Sequence, residues 1–114
     1  MALQIVEKEV KGVIVLELSG RIILGEESSQ LRNKVRELLN QGKTRLVLDL
    51  GNVAQVDSTG LGTLVASYTT AQSQGTAMKL ANLTKRVDEL MHITKLVTVF
   101  ETYDSVDKAV QSFK

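Results

Sequence analysis

A chain of 114 residues with fourteen basic and thirteen acidic side chains, a net charge of +1, is one domain's worth of sequence without the bulk positive charge that drives nucleic-acid binding. Apolar residues at 43% and charged residues at 24% are ordinary globular proportions and leave no compositional ground for disorder. Cysteine is absent, which excludes disulfides, thiolate catalysis and cysteine-ligated zinc, and apolar runs of about four residues are too short to span a bilayer or form a signal-peptide core. The expectation is a soluble cytoplasmic protein folded as a single domain over residues 1–114, with its core within about 3–112.

The elements follow from changes of hydrophobic period. Residues 3–10 alternate in part, as an edge strand does, and Lys11-Gly12 makes a turn into the β-branched run Val13 to Leu18, which Ser19-Gly20 closes. These two runs read as a hairpin. After Gly25 the period lengthens: Leu31, Val35, Leu38 and Leu39 share one helical face, Glu26 and Glu27 suit the first turn, and Gly42 suits the position past the end. The run 45–50, Arg45-Leu46-Val47-Leu48-Asp49-Leu50, reads as a central strand buried on both faces. A second helix follows Asp57, with Leu61, Leu64, Val65 and Tyr68 inward and Gly75 at its close. A short strand at 78–81 leads to a third helix capped by Thr84, with Val87, Leu90 and Met91 inward. A strand at 97–100 and a last helix capped by Asp104, burying Val106, Ala109, Val110 and Phe113, complete the chain. The alternation predicts an α/β fold: about five strands in a mostly parallel sheet, an antiparallel N-terminal hairpin at its edge, and four helices.

The stretch that carries chemistry is Val56-Asp57-Ser58-Thr59-Gly60-Leu61-Gly62, between the buried strand and the second helix. Strand-to-helix loops are where open α/β sheets place their functional groups. Either Asp57 or Ser58 can cap the helix, and the residue types alone do not decide which. Capping does not explain two glycines in a first turn, since glycine costs on the order of 1 kcal/mol relative to alanine within a helix. Glycines there keep the surface bare and allow close approach. A serine at an exposed helix N-terminus is open to a kinase, and the helix amides tolerate the phosphate it receives. The loop is neither a dinucleotide fingerprint, because no third glycine follows Gly62, nor a P-loop, because no Gly-Lys-Ser/Thr is present.

Leu48-Asp49-Leu50 followed by Asp57-Ser58-Thr59-Gly60-Leu61-Gly62 resembles the core signature of STAS domains, and more narrowly that of bacterial anti-sigma factor antagonists. Leu18-Ser19-Gly20, Met78-Lys79-Leu80 with Leu83 and Thr84, and Val99-Phe100-Glu101 leading into Asp104-Ser105 extend the likeness over nearly the whole chain. The resemblance implies a partner-switching protein that needs no cofactor and is not an enzyme. Its unphosphorylated form would bind an anti-sigma factor that is also a serine kinase, releasing a sigma factor. Phosphorylation of Ser58, with Thr59 as second candidate, would end that binding, and a phosphatase would restore it. The partner-binding loop would be Asp57, Ser58, Thr59, Gly60, Leu61 and Gly62, with Asp57 shaping the loop and the two glycines allowing close docking. The protein would act as a monomer or weak dimer, without direct contact to nucleic acid or membrane. Many family members carry an acidic residue shortly after the glycine closing the second strand, whereas here Gly20-Arg21-Ile22-Ile23-Leu24-Gly25 holds no carboxylate before Glu26. The alternative function is a scaffold or sensor module whose 57–62 loop cradles a nucleotide or small anion.

Other polar residues read as structural. His92 is expected to be a partly buried structural histidine, and Asp49 to satisfy loop amides at a strand end. Arg32 and Arg36, with Lys43 and Arg45 beyond, read as a solvated face rather than a basic docking stripe. Lys85, Arg86, Asp88 and Glu89 read as a mixed solvent face, and Tyr68 and Tyr103 are too isolated for a stacking platform.

Overall fold

The turn at Lys11-Gly12, both with left-handed φ (52° and 81°), folds β1 (Gln4–Val10) back onto β2 (Val13–Ile22) as an antiparallel hairpin. The computed structural model describes residues 3–113, so the outermost ends of the predicted domain, residues 1, 2 and 114, lie outside the described residues. From β2 onward the chain alternates: α1 (Glu26–Asn40), β3 (Arg45–Val56), α2 (Ser58–Ser73), β4 (Ala77–Ala81), α3 (Lys85–Ile93), β5 (Thr102–Tyr103) and α4 (Val106–Gln111). The five strands lie in sequence order. They are parallel from β2 to β5, as the alternation predicted.

Period-two alternation sorts side chains onto two faces. Ile14, Leu16 and Leu18 of β2 and Leu46, Leu48 and Leu50 of β3 face the larger core, closed by Leu31, Val35 and Leu38 of α1, Leu61 and Leu64 of α2, and Val87 and Met91 of α3. Val13, Val15 and Val47 face the other side, where Ala109 and Val110 of α4 cover them. β3 is thus buried on both faces, as expected. Lys79 of β4, only 8% exposed, lies on this smaller side: its ammonium stands 4.2 Å from the Phe113 ring and donates to the Ser112 Oγ at 2.7 Å. This contact fastens the C-terminal segment to the sheet.

Three expectations are corrected. β2 runs on to Ile22, past the Ser19-Gly20 read as its close, and β3 to Val56, past the run 45–50. The register explains this: Glu17 pairs with Asp49 but Ser19 with Asn52, and Gly20 with Val53 but Arg21 with Gln55, so β3 carries an extra residue at each shift. Each bulge replaces a two-residue step by three, leaving Leu50, Val53 and Val56 buried where simple alternation fails. The strand expected at 97–100 is instead a 3₁₀ turn over Leu96–Thr98, and pairing is made by Thr102–Tyr103. Lys95 takes a left-handed φ of 63° after α3, and Phe100 turns inward to meet Tyr68 edge-on at 5.2 Å. Packing of the aromatic overrides the β-propensity of Val97-Thr98-Val99. Finally, α4 is capped by Ser105, whose Oγ accepts the Lys108 N–H at 3.1 Å, and not by Asp104. Thr84 caps α3 as predicted, accepting from the Val87 N–H at 3.2 Å. Among the described residues no helix is long and apolar enough to cross a membrane.

Candidate functional site

The long reach of β2 and β3 brings Ile22 and Val56 side by side, so the β2–α1 connection and the head of α2 meet at one edge of the molecule. Asp57 joins them. Its Oδ1 accepts the Gly60 N–H at 2.7 Å, capping α2, while its Oδ2 accepts the Leu24 N–H at 3.0 Å across the gap between the two segments. This settles which residue caps the helix, a choice the sequence left open. The N–H groups of Leu24 and Gly60 hold the Asp57 pKa below the ordinary carboxylate value, because both bonds favour the charged form. A negative cap at a helix N-terminus also suits the helix dipole.

With Asp57 in that role, Ser58 is left as the first residue of α2, exposed, and not the capping side chain. Thr59 is only half exposed, and its carbonyl accepts the Thr63 hydroxyl at 3.1 Å. Leu61 points into the core at 5% exposure and so acts as the helix's anchor rather than as docking surface. The two glycines differ. A Cβ built on Gly60 would stand 1.9 Å from the Ile22 carbonyl oxygen, so the close approach that Gly60 permits is that of β2's own end. A Cβ on Gly62 would meet nothing within 4 Å, and this exposed glycine is the one that keeps the outer surface bare.

Beside Ser58's loop stands a residue the sequence reading did not single out as a site. Leu24 is 72% exposed, held in place by its N–H bond to Asp57, and occupies the loop in which no carboxylate was found. No local signal marks it, because Leu24 closes the apolar run Ile22-Ile23-Leu24 and so reads as core.

The anion-cradle alternative finds less to work with. The Gly60 amide is taken by Asp57 Oδ1, and the Leu61 amide by the Asp57 carbonyl at 2.9 Å. Of the lesser candidates, Asp49 satisfies the Gly51 amide at 3.0 Å and the Asn82 side-chain amide at 3.2 Å, as expected. His92 is corrected: its side chain is 60% exposed, on the outer face of α3, with Nε2 3.6 Å from Asp88 Oδ1. Arg32, Arg36 and Arg45 are exposed and Lys43 is half-buried. Lys85, Arg86 and Glu89 are exposed and Asp88 is half-buried, which fits the mixed solvent face. Tyr68 and Tyr103 are half-buried on different elements. Among the described residues no cluster of three or more histidine, aspartate or glutamate side chains could hold a metal ion.

A sheet of this order, with an exposed serine heading α2, defines a small α/β domain. A family model for the STAS domain matches residues 4–109. Over 81 residues the chain is 36% identical to the anti-sigma-B factor antagonist of Bacillus subtilis, covering 71% of this chain and 73% of that one. The solved structure of a putative anti-sigma factor antagonist from Thermotoga maritima superposes with a TM-score of 0.87 at 25% identity, covering 95% of this chain and 92% of that one. The phosphorylated form of SpoIIAA from Bacillus shares the fold, with a TM-score of 0.74 at 18% identity over 99% of this chain and 100% of that one. The chain belongs to the STAS domain family, in its anti-sigma factor antagonist branch. Proteins of this branch are regulatory binding proteins and not enzymes, and this chain is of that kind.

Proposed function

We propose that this protein binds an anti-sigma factor that is also a serine kinase, freeing a sigma factor, and that phosphorylation of Ser58 ends the binding. The observation that carries the reading is the division of labour at the head of α2: Asp57 takes the cap, so the exposed Ser58 is left without a capping role. A modification there costs the helix no cap. The phosphate would sit at the positive end of the helix dipole, so the fold tolerates it. Its added charge of about −1.5 to −2 would lie beside the Asp57 carboxylate on the docking face. One unit charge facing a like charge about 5 Å away at an effective dielectric near 20 costs roughly 3 kcal/mol, about two orders of magnitude in affinity, with no rearrangement of the fold.

The docking face in this reading centres on Ser58, with the bare surface of Gly62 on one side and Leu24 on the other. Leu24 supplies an apolar anchor where many family members place a carboxylate, so the partner surface opposite it would be apolar rather than basic. The action is assigned to the cytoplasm, with a phosphatase completing the cycle. The experiment is recovery of partners from a lysate of the source organism on Ser58→Ala and Ser58→Asp baits. An ATP-dependent serine kinase held by the alanine bait and absent from the aspartate bait is the expected result, and identical recoveries would refute the reading.

A further inference from the structure

The two edges of the sheet are unequal. β5 offers two residues at one edge, whereas β1 offers seven at the other, five of them exposed. The hairpin turn sets which way the β1 backbone points. Val10 and Val13 flank a two-residue turn and so exchange both hydrogen bonds, and by alternation Lys8 does so with Val15 and Val6 with Glu17. The amides and carbonyls of Ile5, Glu7 and Glu9 therefore point away from β2. Among the described residues no turn, loop or side-chain bond takes them up, and the edge is closed only at Leu3, whose carbonyl accepts the Gln30 side-chain amide at 2.9 Å. The devices that ordinarily guard such an edge are missing or already engaged. The chain has no proline, and the β1–β2 register runs without a bulge. The Lys8 ammonium pairs with Glu17 at 2.7 Å, and Glu7 pairs with Lys34 of α1 at 2.7 Å. Val6, at mid-strand, is left 50% exposed, outside both cores.

We propose that β1 pairs antiparallel with β1 of a second copy of this chain, about a twofold axis at Val6. An axis perpendicular to the sheet keeps each face on its own side, so odd-numbered residues oppose odd and even oppose even. Few registers survive that rule. Centring the pair on Glu7, Lys8 or Glu9 sets like charges face to face, which is unfavourable. Centring it on Ile5 requires Leu3 to exchange bonds with Glu7, yet the Leu3 carbonyl is already engaged by Gln30. Centring on Val6 avoids both conflicts. Ile5 then exchanges bonds with Glu7 of the second copy, and Glu7 with its Ile5, while Gln4 stands opposite Lys8. The two Val6 side chains meet in a close pair without hydrogen bonds and cover one another. Because the joined strands run antiparallel, the two Ser58 loops lie at opposite ends of the continuous sheet and both stay open to partners. A single pair of edge strands is a small interface, so the dimer is weak, with a Kd of about 0.1–1 mM. The proposal does not depend on Ser58 being modified.

The test is sedimentation equilibrium of the full chain from about 10 µM to about 2 mM, which spans that range. The expected result is a rise from monomer towards dimer mass, weakened at least about tenfold in Val6→Lys, which brings two like charges together at the axis. Val6 lies outside both cores, so that variant keeps the fold. The register has its own check, because the chain contains no cysteine. Val6→Cys is expected to give a disulfide-linked dimer under mild oxidation, since the paired Cα atoms would stand about 4.5 Å apart. Lys8→Cys is expected not to, because its two sulfurs would be offset by about 13 Å along the strands. A chain that stays monomeric throughout would leave the edge to a strand of a different protein and overturn the proposal. Undiminished association of Val6→Lys, or cross-linking of Lys8→Cys as fast as that of Val6→Cys, would overturn it as well.

Discussion

Gly60 and Gly62 stand two residues apart in the first turn of α2, and a methyl group added to each meets opposite surroundings. At Gly60 it collides with the Ile22 carbonyl, part of a strand end that cannot move without pulling β2 from β3; at Gly62 it enters open space. The same split runs through the rest of the motif. Asp57, Gly60 and Leu61 look inward, joining the helix to β2, to the Leu24 amide and to the core, while Ser58 and Gly62 look outward. Five of the six residues of the signature thus form two interleaved sets, one that builds a rigid platform and one that the platform displays, with Thr59 half exposed between them.

The largest effect expected from this comparison is at Gly60. Gly60→Ala should lose about 3 kcal/mol of stability through overpacking against backbone, a fall in Tm of roughly 15 °C. Differential scanning calorimetry would measure it, and a loss within about 0.5 kcal/mol would show that the strand end yields. Next comes Leu24→Ala. With 72% of the side chain already in solvent, it should leave Tm nearly unchanged while weakening partner binding by about tenfold, as loss of an apolar anchor does. Isothermal calorimetry with the recovered kinase separates the two readouts.

A subtler break concerns Asp57. Its folded-state pKa lies below the unfolded value, so its contribution to stability is present above the ordinary carboxylate range near pH 4 and lost as pH falls through the lowered folded value. Asp57→Asn should therefore flatten the acid limb of the stability profile below about pH 4, read by urea denaturation at stepped pH. An unchanged acid limb would mean that the Leu24 and Gly60 bonds do not set that pKa. The smallest effect belongs to Gly62→Ala, which should be neutral or stabilising by up to about 1 kcal/mol from helix propensity. If that variant folds well but binds the partner less tightly, the exposed set is the docking surface.

How much of this was legible in the sequence depends on the range of the interaction involved. Hydrophobic period and local capping are written in adjacent residues, so α1, α2, the β1–β2 hairpin and the Thr84 cap could be read directly. The bulges in β3 could not, because Gly51-Asn52 interrupts alternation just as a strand end does, and only pairing with β2 distinguishes the two. The turn at Leu96–Thr98 was misread because its β-branched residues favour a strand, while the contact that forbids it, Phe100 on Tyr68, spans 32 residues. At the candidate site, the exposure of Ser58 was legible from residue type and position. The choice of Asp57 as cap rests on its second bond, to Leu24, 33 residues away, which no local pattern contains. Lys79 shows the same limit: a lysine in mid-strand reads as solvent-facing, and its burial comes from Phe113 and Ser112 at the far end of the chain.

The central claim is that charge at Ser58 governs association on a fold that does not change. The most direct measurement is the affinity of the purified kinase partner for the unmodified protein and for the same protein phosphorylated at Ser58, side by side, with amide NMR spectra of both forms. The account predicts at least about a hundredfold loss of affinity with shifts confined to the residues around 22–25 and 57–62. Equal affinity, or a loss accompanied by changes spread through the core, would contradict it.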